Sequence, residues 1–183
     1  MSPEARLTET ESGLAPETDG WFVVNISDAH WRQNEKFGAS CLFEGEPRRF
    51  PELGIRICVL QPGQPNGLYH ADTNQEDFLV LSGECLLLID GEERPLRTWD
   101  FVHCPADTPH IFLGAGDAPC GILMVGARTE GKKLLYPDSE LARRHGAGAD
   151  AETPLPSEAY ASHPEWRPGR PDLTGTPWMQ EER

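Results

Sequence analysis

Three side chains that can bind a metal ion lie close together in the middle of the chain. His70, Asp72 and Glu76 are separated by even numbers of residues, so their side chains share one face of an extended strand. Further along, the turn-forming stretch Pro105-Ala-Asp-Thr-Pro leads into His110. Imidazole nitrogens together with carboxylate oxygens suit divalent first-row metals. These residues therefore predict a metal site assembled from separate parts of the chain.

Short strands must position those side chains. Apolar or alternating segments separated by Gly, Pro and Asp predict strands over residues 53–60, 77–81, 84–89, 92–97, 101–104, 110–113 and 121–127. Asp90-Gly91 is a hairpin signal between two of them. Earlier, residues 21–25 and 39–43 are expected to be extended, and residues 27–31 to form one helical turn. Such a series is typical of an all-β sandwich or barrel.

The spacing of the metal-binding residues resembles the two motifs of the cupin family. His70 stands at the first histidine of the first motif, Glu76 at its glutamate and Gly83 at its closing glycine, and His110 stands at the histidine of the second motif. The resemblance covers roughly residues 53–127. It implies the cupin double-stranded β-helix, a jelly-roll barrel, around one divalent metal ion. Zinc, iron(II) and manganese are the expected metals.

Four residues depart from the cupin motifs: Asp72, Trp99, Asp107 and Gly114, the last of which stands where the family often has asparagine. Asp72 stands where the second histidine is usual, and it either binds the metal directly or hydrogen-bonds a metal-bound water. Without Asp72 the remaining ligands form a set of two histidines and one carboxylate, which non-haem iron oxygenases use. Asp107 replaces a glycine, which is acceptable because Asp tolerates left-handed backbone. Trp99 stands before Asp100 where cupins commonly have glycine.

Several apolar residues are expected in the barrel interior. Those expected to line the pocket beside the metal are Cys58, Phe78, Cys104, Phe112 and Met124. The chain has five cysteines and no CxxC pair, so we expect free, buried thiols rather than a cysteine-ligated zinc site.

Charge limits the possible partners. The chain has 30 acidic and 16 basic residues, a formal net charge of −14. Such a charge repels nucleic acid and anionic membrane surfaces, which leaves a small molecule as the expected ligand.

Residues 1–20 carry no apolar stretch typical of a signal peptide, so a cytoplasmic location is expected. A homodimer is expected because the apolar segment from Trp21 and an aromatic C-terminal arm need surfaces to pack on.

The chain divides into three predicted parts: a flexible acidic N-terminus over residues 1–20, a barrel domain over residues 21–130, and a C-terminal part over residues 131–183. The C-terminal part is predicted to hold a short helix over residues 139–145, capped by Asp138 or Ser139. After it comes an extended, proline-rich arm with Tyr160, Trp166 and Trp178, packed on the barrel or on a partner subunit.

Three functions are compatible with this pattern. The pattern assigns no catalytic residues for any of them. The first is a metal-dependent enzyme acting on a small organic molecule, by oxygenase or by isomerase or lyase chemistry. The second is a non-enzymatic module that binds or senses a metabolite. The third is a structural or storage protein, which the intact ligand spacing makes the weakest hypothesis.

Overall fold

Strands make up most of the regular structure. The computed structural model describes residues 1–45, 49–173 and 176. The strands are β1 (Leu7–Thr10), β2 (Gly13–Pro16), β3 (His30–Asn34), β4 (Gly38–Leu42), β5 (Leu53–Leu60), β6 (Ala71–Asp72), β7 (Glu76–Ser82), β8 (Glu84–Ile89), β9 (Glu92–Arg97), β10 (Phe101–Cys104), β11 (His110–Ala115), β12 (Cys120–Ala127), β13 (Leu134–Leu135) and β14 (Arg167–Pro168). Two short helices are α1 (Glu140–Arg144) and α2 (Pro156–Ala159).

The core lies between a large sheet and a small one. The large sheet has the strand order β10-β7-β12-β5-β4-β3-β14, and the small sheet has the order β11-β8-β9. Strands β6 and β13 form a separate pair. One buried cluster takes its side chains from both sheets, including Val80 and Ile122 from the large sheet and Leu87 from the small one. Apolar side chains alternate along these strands, so one face of each sheet turns inward. The expected all-β class is confirmed.

The turns follow the local sequence. Asp90 and Gly91 both have positive φ, 47° and 79°, as the predicted hairpin turn requires. Gly83 has φ 71°, and a side chain there would meet the carbonyl oxygen of Pro119. Asp107 adopts the left-handed backbone expected of it, with φ 64°. Because Trp99 also has positive φ, 75°, its turn has the geometry that glycine would adopt more easily.

The N-terminal region differs from expectation in three ways. Residues 1–20, expected to be flexible, contain the antiparallel hairpin β1–β2, in which Glu9 pairs with Leu14. Its backbone pairing needs no apolar periodicity, so the pattern did not reveal it. The strand expected over residues 21–25 is wrong, since only an isolated bridge between Trp21 and Glu4 forms there. The helical turn expected over residues 27–31 lies two residues earlier: the Asn25 carbonyl accepts the amides of Asp28 and Ala29, the Asn25 side chain accepts that of Ser27, and β3 then begins at His30.

The C-terminal part packs on the barrel. The expected helix is α1, and Ser139 caps it by accepting the Ala142 amide. The arm then places the Tyr160 hydroxyl 2.9 Å from the Leu68 amide, which donates to it. Strand β14 pairs with β3 at the edge of the large sheet. Of the three expected arm aromatics, Trp178 lies outside the described residues, and the other two contact the barrel.

The five cysteines are free and buried, as expected. Burial raises the pKa of Cys41 and of Cys104 to about 12. Since all five side chains are buried away from the reagent, iodoacetamide at pH 8 is expected to leave the five thiols of the folded protein unmodified and to alkylate all five after unfolding. Mass spectrometry of intact protein measures both states. Rapid alkylation of any cysteine in the folded chain would contradict the buried placement.

Within the described residues, no helix has the length and apolarity that crossing a membrane requires. Exposed large apolar side chains include Val23, Trp99 and Phe101. The expected homodimer stays a prediction, which light scattering at micromolar concentration tests.

Candidate metal centre

Two imidazoles meet where β6 and β11 approach each other. His70 precedes β6 and His110 begins β11, and the two residues form an antiparallel bridge in which each amide donates to the other's carbonyl. Their ring centroids are 5.5 Å apart. The bridge explains how residues 40 positions apart come to share one site. Because His70 pairs directly with His110, both side chains lie on the same side of the paired segments.

Both rings are held in the same tautomer. Nδ1 of His70 lies 2.8 Å from the carbonyl oxygen of Leu68, and Nδ1 of His110 lies 2.9 Å from that of Thr108. A carbonyl can only accept, so each Nδ1 carries a proton, which leaves each Nε2 as the nitrogen that can face a metal. Burial, together with the nearby charge of His110, lowers the pKa of His70 to about 4. Histidine binds metals as the neutral imidazole, oriented by a hydrogen bond from its other ring nitrogen.

Glu76 adds a half-buried carboxylate from the start of β7. Within the described part of the chain, its buried Oε2 has no hydrogen-bond partner, and Nε2 of His110 lies 3.4 Å away. Burial raises the pKa of Glu76, against the opposite influence of His110. Two donors bound to one tetrahedral metal at about 2.1 Å lie about 3.4 Å apart. The unpartnered oxygen and Nε2 of His110 are therefore spaced as two ligands of one cation would be.

The ligand set is not preassembled. Among residues 1–45, 49–173 and 176, no three His, Cys, Asp or Glu side chains already stand together as a group that could hold a metal ion. A metal shared by His70, Glu76 and His110 therefore requires their side chains to adjust when it binds.

Asp72 is buried but already engaged. Its Oδ1 accepts the Asn74 amide at 2.9 Å. Its buried Oδ2 has no hydrogen-bond partner among the described residues but forms an ion pair with the ammonium of Lys132. The side chain of Asp72 is 2% exposed, whereas that of Lys132 is 43% exposed. Direct ligation by Asp72 would have to compete with this ion pair, and its place in the ligand set or beside it stays a prediction.

A cavity of about 480 Å³ opens beside the candidate ligands. His70 and Glu76 line it, together with Tyr136 and with Tyr160 and Trp166 of the arm. Its volume is in the range of small-molecule sites. The Tyr136 ring lies 5.6 Å from the His70 ring, and burial raises the pKa of its hydroxyl, which keeps it protonated near neutral pH.

The residues expected to line the pocket divide into two groups. Met124 lines the cavity. Cys58, Phe78, Cys104 and Phe112 belong to the hydrophobic cluster between the sheets and do not line this cavity, which corrects the expectation for these four. They share an inward face with the cavity residues but lie deeper in the barrel, where tight packing leaves no open space. Phe78 still contacts the site, with its ring 5.1 Å from that of His110.

Sequence reasoning missed the basic residues of the cavity. Arg32 of β3 and Arg56 of β5 line it, as does Lys132. For Arg56 the sequence carries a usable signal, a lone charge inside the apolar strand Leu53–Leu60. For Arg32 no such signal exists, because its neighbours Gln33 and Asn34 are also polar.

The strands that carry the candidate ligands match a known family. The family model described as "Cupin domain" matches residues 56–126, from β5 to β12, and that span includes all four candidate metal ligands. This part of the chain is a cupin domain. The jelly-roll class that the motif spacing implied is thereby confirmed for the barrel.

Three similar proteins extend the comparison. The chain is 25% identical over 122 residues to polyketide synthase CurC of Streptomyces cyaneus, covering 65% of this chain and 71% of the relative. The structure of a sugar phosphate isomerase from Silicibacter pomeroyi matches with a TM-score of 0.55 at 25% identity, over 64% of this chain and 83% of that one. The polyketide cyclase RemF from Streptomyces resistomycificus shares the fold, with a TM-score of 0.51 at 16% identity over 58% and 79% of the two chains.

Proposed function

We propose that this cupin is a metal-dependent enzyme acting on a small organic molecule, with His70, Glu76 and His110 holding one divalent ion. The observation that carries the proposal is the buried, unpartnered Oε2 of Glu76, which faces Nε2 of His110 at 3.4 Å. A buried carboxylate without a donor or cation is costly, and a metal ion removes that cost. We assign Asp72, the fourth residue of the expected ligand set, a supporting role beside the metal ligands, where it pairs with Lys132.

Of the two reaction types that the ligand set allows, we favour isomerase or lyase chemistry over oxygenase chemistry. Support comes from the similarity to a sugar phosphate isomerase. A bound divalent ion would supply a Lewis acid that polarises a ligand oxygen. Tyr136, protonated and lining the cavity beside His70, is placed to hydrogen-bond an oxygen of the same ligand. The arm residues Tyr160 and Trp166 line the cavity and take up space that water would otherwise fill.

Metal content and turnover test the proposal together. Protein purified without chelator is expected to contain about one zinc, iron or manganese ion per chain by mass spectrometry of the elements. The loaded protein is then incubated with sugar phosphates, hydroxyketones, diketones and phenols, with products followed by NMR and oxygen by electrode. Conversion without oxygen uptake is the expected result.

The other outcomes are equally distinct. Metal below about one-tenth of an ion per chain that cannot be reloaded would contradict the metal centre. Oxygen uptake coupled to product formation would replace the favoured reaction with the oxygenase type. A ligand that raises the melting temperature without being converted would support the binding or sensing module instead.

A further inference from the structure

The cavity beside the candidate metal centre is basic on one wall, in a chain whose net charge is −14. The large sheet supplies that wall. Arg56 lies across from Leu42, and Leu42 lies across from His30. Arg32 follows His30 by two residues on the same strand, so both arginines are on one face. The same face carries Met124, the other neighbour of Arg56.

Both guanidinium groups lack an anionic partner in the part of the chain that the structure describes. Nε of Arg32 is buried without a hydrogen-bond acceptor. Burial lowers the pKa of Arg32, and the nearby charge of Arg56 lowers it further. For Arg56, residues 1–45, 49–173 and 176 provide neither an ion pair nor a side-chain hydrogen bond. A desolvated cation without an acceptor is unfavourable unless an anion joins it.

Other charges around the cavity are already matched. Arg128 donates to both oxygens of Glu44, at 2.6 and 2.8 Å. Lys132 is paired with Asp72. Glu76 is the proposed metal ligand; the charge of Arg56 lowers its pKa, but the two groups form no ion pair among the described residues. The acidic groups lining the cavity therefore leave both arginines without a direct anionic partner.

The arm holds one of the arginines in place. The Arg32 guanidinium carbon lies 4.4 Å from the centre of the Trp166 ring, a cation–π stack. Strand β14, directly after Trp166, pairs with β3 at Arg32 and Gln33. A stacked guanidinium keeps its N–H edge free, and that planar edge matches carboxylate and phosphate oxygens. The cavity therefore has a preorganised oxyanion-binding wall.

We infer that Arg32 and Arg56 form a binding subsite for the carboxylate or phosphate group of a small anionic substrate. The inference rests on the proposed function for one step: the rest of that substrate is placed against His70 and Glu76, which line the same cavity. It names the substrate class, an organic acid anion or a phosphate ester, and gives the C-terminal arm a part in binding. Carboxylates and phosphate esters both present negatively charged oxygens to the arginines, and the two groups differ in shape and charge.

Titration of metal-free, full-length protein tests the subsite apart from the metal centre. Isothermal titration calorimetry with inorganic phosphate, with succinate and with neutral erythritol is expected to show binding of at least one anion and none of erythritol. The tighter anion identifies the group that the subsite accepts. Arg56→Gln and Arg32→Gln are each expected to weaken that binding at least about tenfold, the loss of one charge-assisted hydrogen bond. Arg94→Gln, an exposed change of equal charge on β9, is the matched control and is expected to bind like the wild type.

Arg32→Lys and Arg56→Lys guard against loss of folding, since they keep the charge and remove the planar fork. Each is expected to bind between the wild type and the Gln variant, at an unchanged melting temperature. No anion binding by the wild type, or equal binding by all of the arginine variants, would overturn the subsite. Metal content measured on the same variants is expected to match the wild type, so a failed metal centre and a failed anion subsite give different results.

Discussion

Glu76→Gln is expected to weaken metal binding by at least about 100-fold, since losing only an outer hydrogen-bond partner of a ligand costs about 10–100-fold. The substitution keeps the size of the side chain and removes its charge. The anionic oxygen facing Nε2 of His110 is replaced by a group that attracts a cation far less. Metal content after purification, and calorimetric titration with zinc and manganese, measure the effect.

Asp77→Asn is the matched control for this experiment. Asp77 is the next residue of β7, and its substitution removes the same charge on a side chain that faces away from the cavity, where it contacts His103 at 2.7 Å. The control is expected to retain the full metal content. The metal-free Glu76→Gln protein is expected to melt at least as high as the metal-free wild type, because it no longer buries an unpaired carboxylate. Full metal content in Glu76→Gln would contradict the proposed centre.

Asp72→Asn separates the two roles left open for that residue. As a supporting group paired with Lys132, its replacement is expected to reduce metal affinity by about tenfold, a typical effect of an outer residue. A loss as large as that in Glu76→Gln would instead assign Asp72 to the ligand set. His110→Ala serves as the reference for removal of a ligand.

Phe112→Ala is expected to lower the free energy of unfolding by about 3–5 kcal/mol, the usual cost of emptying an aromatic site in a core. Phe112 is fully buried in the cluster between the sheets, and its ring lies 4.7 Å from that of Phe78. It also lies on β11 two residues after His110, so the cavity left behind would loosen the wall beneath the candidate metal centre. Denaturant unfolding of metal-free protein measures the change.

Phe101→Ala provides the comparison. Its side chain is 65% exposed at the start of β10, and its removal is expected to change stability by no more than about 0.5 kcal/mol. A loss below about 1 kcal/mol in Phe112→Ala would show that Phe112 is not part of a tightly packed core.

The central strands and their turns were predictable because their causes are local. The predicted bounds match those of four strands, which form where the apolar runs and the turn signals between them indicated: Leu53–Leu60, Glu84–Ile89, Glu92–Arg97 and Phe101–Cys104. The turn between two of these strands depends on the backbone freedom of Asp90-Gly91, which is a property of those residues themselves. The candidate ligands His70, Glu76 and His110 follow in the same way from motif spacing, which is a property of the sequence alone.

The sequence by itself thus determined the all-β class, the cupin barrel and the candidate ligands, since alternation, turn chemistry and spacing can be read along the chain. Only the tertiary structure decided that Asp72 pairs with Lys132, that Arg32 and Arg56 share a wall, and that Trp166 covers it. Those arrangements depend on which strands become neighbours and in which register. A shift of one residue would turn either arginine to the opposite face, and nothing local to Arg32 specifies that register.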